Sequence, residues 1–103
     1  MNILVTGGIG FIGTNLVKKL LSKKSIKKII IVDNFYSTSK IYLKKFTSFS
    51  LQNSKNYKKS KQRLEIIKAN ICDKNFARQI TKGIDYVIHL AAESGVDISI
   101  SNP

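Results

Sequence analysis

The sequence predicts an α/β fold with a doubly wound parallel sheet, and two observations carry this prediction. Short runs rich in β-branched residues alternate with longer segments of helical periodicity along the 103 residues. The first of these runs ends in a cluster of glycines that opens the first helical segment. Because parallel strands need long crossovers, each helical segment is expected to cross one face of the sheet.

The first strand, helix and strand are the clearest elements. Residues 2–6 form a short apolar run that is typical of a buried parallel strand. Residues 11–22 carry apolar side chains at helical spacing, with lysines toward the C-terminal end, where cations suit the helix dipole. Residues 28–32, Lys-Ile-Ile-Ile-Val, predict the second strand, which Asp33 and Asn34 end.

The segment between the second and third strands has the weakest pattern. Residues 37–39, Ser-Thr-Ser, could cap a short helix that contains Ile41, Leu43 and Phe46. Residues 48–60 are polar and rich in lysine, so they predict a mobile surface loop.

Two more strands and a helix complete the pattern. Residues 63–68 and 85–90 predict the third and fourth strands, and residues 73–82 predict a helix that ends before Gly83. In the doubly wound arrangement the four strands lie in the order 3-2-1-4. The fourth strand would then be an exposed edge, with a further helix expected near Pro103. We therefore expect only the N-terminal part of a larger domain.

A glycine loop joins the first strand to the first helix. Residues 6–13, Thr-Gly-Gly-Ile-Gly-Phe-Ile-Gly, place Gly7, Gly10 and Gly13 at G-x-x-G-x-x-G spacing. In this pattern the first glycine permits a tight turn, the second lets the backbone approach a pyrophosphate, and the third lets the helix pack closely on the strand. The N–H groups of the first helical turn then meet the phosphates. The sequence therefore predicts a dinucleotide site of the Rossmann type.

Asp33 ends the second strand, twenty residues after Gly13. A carboxylate at this place can accept hydrogen bonds from the ribose hydroxyls of adenosine, and it repels a 2′-phosphate. Asp33 therefore favours NAD over NADP as the cofactor. An Asx turn at Asp33 and Asn34 is also expected after a strand and is compatible with the ribose contact.

Basic residues dominate the charge of the chain, whose 18 Lys and Arg residues and 6 Asp and Glu residues give a formal net charge of +12. Fourteen of the basic residues lie between Lys18 and Arg63, and all but two of the 18 are lysines. Because specific nucleic-acid readers also use arginine forks, we interpret the lysines as a solvated surface and do not expect nucleic acid as a partner. A non-catalytic module whose basic half-Rossmann surface binds RNA or a protein partner stays open as the alternative function.

Single residues limit other classes of site. The one cysteine, Cys72, excludes an intrachain disulfide and has no partner at metal-ligand spacing. His89, the one histidine, lies in an apolar run and is expected to be a buried core residue.

The N-terminus has no signal-peptide pattern and no apolar run reaches membrane-spanning length, so we expect no membrane association and a cytoplasmic protein.

Three stretches carry a family resemblance: the glycine loop, the run Val-Asp-Asn-Phe at residues 32–35, and the run Val-Ile-His-Leu-Ala-Ala-Glu at residues 87–93. Together they resemble the extended short-chain dehydrogenase/reductase family, and within it the NAD-dependent nucleotide-sugar 4-epimerases and 4,6-dehydratases. The segment 94–103 is similar to the one that follows the fourth strand in those enzymes. The resemblance implies that residues 1–103 form a truncated NAD-binding Rossmann domain without the C-terminal substrate-binding lobe.

The resemblance also implies a set of cofactor contacts. The pyrophosphate would lie against Gly7, Gly10, Phe11, Ile12 and Gly13. The adenosine ribose would contact Asp33 and Asn34, with Ser37 and Thr38 nearby. The adenine edge would meet Asn70 and Ile71, where the family usually has Asp-Ile or Asp-Val, and Asn70 keeps an acceptor but loses the charge. The wall beside the ribose and nicotinamide would consist of Leu90, Ala91 and Ala92.

In enzymes of this family the base that acts on the sugar hydroxyl is the tyrosine of a Tyr-x-x-x-Lys pair, whose lysine lowers the tyrosine pKa. Tyr36 with Lys40 and Tyr57 with Lys61 match this spacing, but both pairs precede the third strand, so we assign neither a catalytic role. We therefore predict no catalytic residue and no metal ligand in this chain, which alone is expected to be inactive. The full-length enzyme would act on a nucleotide sugar, and a homodimer is expected only for that protein.

Overall fold

The computed structural model describes residues 1–7, 9–33, 44, 46, 48–53, 55, 57–69 and 74–90, and the backbone of 99–101. Its elements in chain order are β1 (Asn2–Thr6), α1 (Phe11–Leu21), β2 (Lys28–Asp33), β3 (Ser50–Asn53), β4 (Leu64–Lys68), α2 (Lys74–Thr81), β5 (Tyr86–His89) and β6 (Ser99–Ser101). The four predicted strands correspond to β1, β2, β4 and β5. They and the two helices begin and end within one residue of the predicted bounds.

The strands form one sheet in the order β3-β4-β2-β1-β5-β6. All neighbours pair in parallel except β5 and β6, which are antiparallel. The predicted order 3-2-1-4 is confirmed, because it corresponds to β4-β2-β1-β5. The predicted count of four strands is wrong, since one further strand flanks this set on each side.

β3 corrects the prediction that residues 48–60 form a loop. Ser50–Asn53 pairs in parallel with β4, and Leu51 on this strand is 53% exposed. The side chain of Gln52 reinforces the segment, since its Nε2 donates to the Lys58 carbonyl at 2.7 Å and its Oε1 accepts from the Lys58 N–H at 2.8 Å. A short, polar outer strand buries too little apolar surface to produce the pattern of a buried run.

β6 corrects the expectation that β5 is an exposed edge, whereas the helix expected near Pro103 falls outside the described residues. Ser99–Ser101 pairs with β5, with Val87 opposite Ser101 and His89 opposite Ser99. This pairing satisfies backbone groups on the outer side of β5 that an edge strand would leave open. The predicted short helix lies largely outside the described residues, and so does Asp73, the first residue of the predicted helix 73–82. Phe46 is buried and packs edge-to-face on Phe49.

The sheet separates two apolar cores, because successive side chains of a strand point to opposite faces. The core shared with α1 contains Ile3, Val5, Val17, Ile29, Ile31, Leu64, Ile66 and Ile88. The core shared with α2 contains Leu4, Ile30, Val32, Ile67, Phe76, Ile80 and Val87. Helices therefore cover both faces of the central strands, which defines the doubly wound architecture.

Arg63, immediately before β4, holds the C-terminal end of α1. Its guanidinium donates to the carbonyls of Leu21, Lys23 and Ile26 at distances from 2.7 to 3.1 Å. These bonds satisfy carbonyls that a helix end and its following turn leave without partners. They also place a positive charge at the negative end of the helix dipole, which stabilises α1 against the sheet.

A salt bridge joins β4 to β2 on the α2 side of the sheet. Glu65 on β4 is fully buried, and its Oε2 lies 2.6 Å from Lys28 Nζ on β2. The Oε1 atom accepts from the Ser60 N–H at 3.0 Å, and Lys28 Nζ also donates to the Ser60 carbonyl. The pair thus ties the segment before β4 to the two neighbouring strands.

Lys28→Met should destabilise the fold because it leaves the Glu65 carboxylate buried without its counter-charge. We expect a loss of about 3 kcal/mol in the free energy of unfolding, measured by urea denaturation. The matched control is Lys27→Met at an exposed neighbouring position, for which we expect a change within about 0.5 kcal/mol. The double variant Lys28→Met/Glu65→Leu should recover most of the loss, and equal losses in the single and double variants would contradict this reading.

Candidate dinucleotide-binding site

The carboxyl ends of the central strands meet at one edge of the sheet. In the pairing register Thr6 on β1 lies opposite Val32 on β2 and opposite His89 on β5. From β1 the strands β2 and β4 extend the sheet in one direction, and β5 extends it in the other, so the strand order reverses between β1 and β5. Proteins with this α/β topology bind ligands in the crevice outside the carboxyl ends of the strands at such a reversal. The glycine loop leaves β1 at this edge.

Gly7 begins the loop in a conformation that favours glycine. Its φ is +72°, and a Cβ at this position would lie 2.5 Å from the Leu90 carbonyl oxygen. Its N–H donates to the Val32 carbonyl at 2.8 Å. The backbone at Gly7 is therefore fixed between β2 on one side and the end of β5 on the other.

Gly10 lies at the N-cap of α1 and faces open space. Its φ of −164° is extended backbone that any residue can adopt, and a Cβ there would have no described atom within 4 Å. No side chain caps the helix, and its first turn has no acidic residue. The space in front of the first turn of α1 can thus admit an anionic group, which the N–H groups of a helix N-terminus attract.

The next residues of the motif divide between surface and core. Phe11 and Ile12 are 64% and 51% exposed, so they place two neighbouring apolar side chains on the surface at the start of α1. Gly13 is buried, and Thr14 donates from both its N–H and its hydroxyl to the Gly10 carbonyl, at 2.9 and 2.6 Å. Two hydrogen bonds therefore close the first turn of α1, and the side chains of Phe11 and Ile12 form an apolar surface on it.

Asp33 is brought to the glycine loop by the parallel pairing of β1 and β2. The residue is only 9% exposed, and its Oδ2 accepts from the Ile9 N–H at 3.0 Å. Its backbone carbonyl accepts from the Ala69 N–H at 3.0 Å, just after β4. The donor in this contact is the backbone N–H of Ile9, so no residue type in the sequence indicates it.

Thr6 and His89 form a second polar contact at this edge. Thr6 Oγ1 lies 2.7 Å from His89 Nδ1, and the Leu90 N–H donates to the Thr6 carbonyl at 2.9 Å. The expectation that His89 is a buried core residue is wrong, because its side chain is exposed where β5 ends. The last position of a strand escapes the burial that the preceding apolar residues indicate.

The structure thus brings Gly7, Gly10, Asp33 and Leu90 to one edge of the sheet, with Phe11, Ile12 and Gly13 in the first turn of α1. The other residues of the predicted set lie outside the described part of the chain: Asn34, Ser37, Thr38, Asn70, Ile71, Ala91 and Ala92. Among the described residues no group of three His, Cys, Asp or Glu side chains could hold a metal ion. None of the helices in this described portion is long and apolar enough to cross a bilayer.

Tyr57 lies in the core region on the α2 side of the sheet. Its ring packs edge-to-face on Phe76, with the ring centroids 6.1 Å apart. Burial, the negative charge of Glu65 and a hydrogen bond to that carboxylate raise the pKa of Tyr57 to about 12. A catalytic tyrosine base needs the opposite shift, so its spacing to Lys61 is a coincidence of a lysine-rich segment.

The fold and this edge define a dinucleotide-binding domain of the Rossmann type. The chain belongs to the family described as GDP-mannose 4,6 dehydratase, which matches residues 4–103. The resemblance to NAD-dependent nucleotide-sugar epimerases and dehydratases is therefore confirmed.

Curated relatives include bacterial and human proteins. The chain is 38% identical to an uncharacterized UDP-glucose epimerase of Bacillus subtilis, over 99% of this chain and 29% of that protein. It is 38% identical to a probable dTDP-glucose 4,6-dehydratase of Sinorhizobium fredii, over 98% and 26%. It is 36% identical to the human dTDP-D-glucose 4,6-dehydratase, over 94% and 25%. The chain spans between 25% and 29% of the length of these three relatives.

A solved structure shares the fold. The chain is similar to the crystal structure of DesIV, a dTDP-glucose 4,6-dehydratase from Streptomyces venezuelae, with a TM-score of 0.63 and 25% identity. The likeness covers 92% of this chain and 27% of the DesIV chain, and that crystal structure has NAD bound.

The raised pKa of Tyr57 predicts a pH dependence of stability. The folded chain holds the phenol proton more tightly than the unfolded chain, so the free energy of unfolding should fall as the pH rises from about 10 toward about 12. Tyr57→Phe should lose this component, which is measured as the difference between the two proteins in denaturation series across that range.

Ultraviolet titration of tyrosinate gives an independent reading. The component near pH 12 should disappear in Tyr57→Phe and remain in Tyr86→Phe, which removes a different phenol. Titration of Tyr57 at or below the usual tyrosine value would contradict its burial beside Glu65.

Proposed function

We propose that this chain is the NAD-binding portion of a nucleotide-sugar 4-epimerase or 4,6-dehydratase. The observation that carries the proposal is the open space at Gly10, the N-cap residue of α1. A Cβ at Gly10 would meet no described atom, so the packing of the chain itself does not call for glycine there. A pyrophosphate close to the backbone does call for it.

The loop and the first turn of α1 would hold the pyrophosphate. Gly7 sets the direction of the loop, and Gly10 leaves room for the phosphates in front of the helix N–H groups. Phe11 and Ile12, which are both exposed, would shield the phosphates from water. Gly13 is buried in α1 and would let the helix pack closely on the strand.

Asp33 would bind the adenosine ribose. Its Oδ2 accepts from the Ile9 N–H, which holds the carboxylate beside the glycine loop. A carboxylate so placed accepts hydrogen bonds from ribose hydroxyls and repels a 2′-phosphate, so we propose NAD rather than NADP. The remaining contacts proposed for adenosine and the nicotinamide side are Asn34, Ser37, Thr38, Asn70, Ile71, Leu90, Ala91 and Ala92.

NAD would supply the hydride acceptor for oxidation of a sugar hydroxyl. The described residues would bind and orient the dinucleotide, and we assign no catalytic residue to this chain. The substrate proposed for the whole protein is a nucleotide sugar, in keeping with the names of the relatives. We also propose that the protein acts in the cytoplasm. The alternative of an RNA-binding or protein-binding module gains no support, since the matches are to nucleotide-sugar enzymes.

Gly10→Ala tests the approach of the pyrophosphate. The extended backbone accepts alanine, so the loss of folding stability should stay within about 1 kcal/mol, the difference between glycine and alanine at an N-cap. The methyl group would occupy the space proposed for the phosphates, so NAD affinity measured by calorimetry should fall at least about tenfold, or about 1.4 kcal/mol.

Gly83→Ala is the matched control for a glycine change. Gly83 has a φ of +77° and lies in the turn before β5, at the opposite end of the strand from the proposed site. This variant should lose stability while keeping the NAD affinity of the parent. Unchanged NAD affinity in Gly10→Ala would contradict the proposed pyrophosphate position.

Asp33→Asn tests the choice of dinucleotide. The amide keeps one acceptor oxygen for the Ile9 N–H but loses the charge that would repel a 2′-phosphate. We expect NAD affinity to weaken several-fold and the preference for NAD over NADP to shrink by about tenfold, as for a charge-assisted contact. Titrations of both dinucleotides into both proteins measure the ratio.

Asp85→Asn is the control for the loss of a carboxylate. Asp85 Oδ2 accepts from the Asn2 N–H at 2.6 Å, at the amino ends of the strands. Its change should leave the NAD to NADP ratio unaltered. Failure of the folded parent to bind NAD at all would refute the proposed function.

A further inference from the structure

Thr6 and His89 are neighbours across the β1–β5 pairing, where both strands end. Thr6 Oγ1 lies 2.7 Å from His89 Nδ1, and this is the one hydrogen bond that either side chain makes with the described part of the chain. Thr6 is 7% exposed, whereas the His89 side chain is exposed. A buried hydroxyl therefore depends on a ring that reaches it from the surface.

The burial of Thr6 decides the direction of this hydrogen bond. A neutral imidazole has one donor nitrogen and one acceptor nitrogen. If Nδ1 of His89 carried the hydrogen, the buried hydroxyl hydrogen of Thr6 would have no acceptor among the described residues, which is unfavourable. Both groups are satisfied when the Thr6 hydroxyl donates to Nδ1 and the ring hydrogen lies on Nε2.

The same strand ends are joined by two further contacts. The Leu90 N–H donates to the Thr6 carbonyl at 2.9 Å, and the Leu90 carbonyl lies so close to Gly7 that a Cβ would be 2.5 Å from it. Gly7 is also bound to the Val32 carbonyl. A displacement of Thr6 or of the end of β5 would therefore also displace Gly7, the first residue of the glycine loop.

We propose that His89 is a positioning residue for the dinucleotide site. Its Nδ1 accepts a hydrogen bond from the Thr6 hydroxyl, and this bond fixes the point at which the glycine loop leaves the sheet. The proposal rests on the proposed NAD-binding function and assigns His89 no contact with the reacting atoms. It predicts that the hydrogen bond between Thr6 and His89 contributes to NAD affinity, beyond any contribution to folding.

The test compares variants that break the hydrogen bond with variants that keep it, in the full chain. Thr6→Val and His89→Phe remove one partner each and should weaken NAD affinity about tenfold, as the loss of one buried hydrogen bond would. Thr6→Ser keeps the hydroxyl, and His89→Asn keeps an acceptor oxygen near the position of Nδ1. Both should bind NAD within about twofold of the parent. The double variant Thr6→Val/His89→Phe should be no weaker than either single variant, because the partners share one interaction.

Asp85→Ala separates positioning from general stability. It breaks the contact with the Asn2 N–H at the other end of the same two strands, so it should lower the melting temperature without weakening NAD binding. Weakening of NAD binding by Asp85→Ala as large as that by His89→Phe would overturn the proposal. So would NAD affinities of Thr6→Val and His89→Phe that equal the parent's.

Nitrogen NMR of the His89 ring supplies a reading that does not depend on NAD. In the parent with a neutral ring, the hydrogen should reside on Nε2, and in Thr6→Val this preference should weaken. A hydrogen on Nδ1 in the parent would overturn the proposed direction of the hydrogen bond. A folded parent that shows the Nε2–H form but does not bind NAD would refute the proposed function, and the positioning role with it.

Discussion

The parallel pairing of β1 with a strand on each side is the constraint on which the rest of this structure depends. Because β1 is central, its carboxyl end meets the ends of β2 and β5 together, and Gly7 is held between the Val32 and Leu90 carbonyls. The same pairing brings Asp33 within hydrogen-bond distance of the Ile9 N–H. The candidate site is thus a consequence of strand order, to which side chains add chemistry.

The central part of the fold could be predicted because its strands are buried on both faces. Continuous apolar runs such as Ile29 to Val32 occur where each face packs against a helix. The outer strands gave no such signal, because β3 has partly buried side chains only at alternate positions and β6 is the short segment Ser-Ile-Ser. Their formation depends on the unpaired edges of β4 and β5, which are properties of the assembled sheet.

The candidate site divides in the same way. Gly7 and Asp33 could be found because a special backbone conformation and a carboxylate after a strand leave direct traces in the sequence. The Thr6–His89 contact could not, since a period of two does not reveal that His89 stands at the exposed end of its strand. Tyr57 shows the reverse case, in which the spacing to Lys61 matches a catalytic pair while burial beside Glu65 raises the pKa of Tyr57 to about 12.

The Arg63 guanidinium has a consequence for ligand binding at the far end of α1. The Arg63 guanidinium binds carbonyls at the C-terminal end of α1, and the first turn of the helix has no carboxylate. The positive end of the helix dipole therefore lies at the carboxyl ends of the central strands, with no acidic residue of the first turn to neutralise it. The donors of this turn are already oriented when the chain folds. An anion that arrives there would meet a preorganised field, so little of the interaction energy would be lost to ordering the helix.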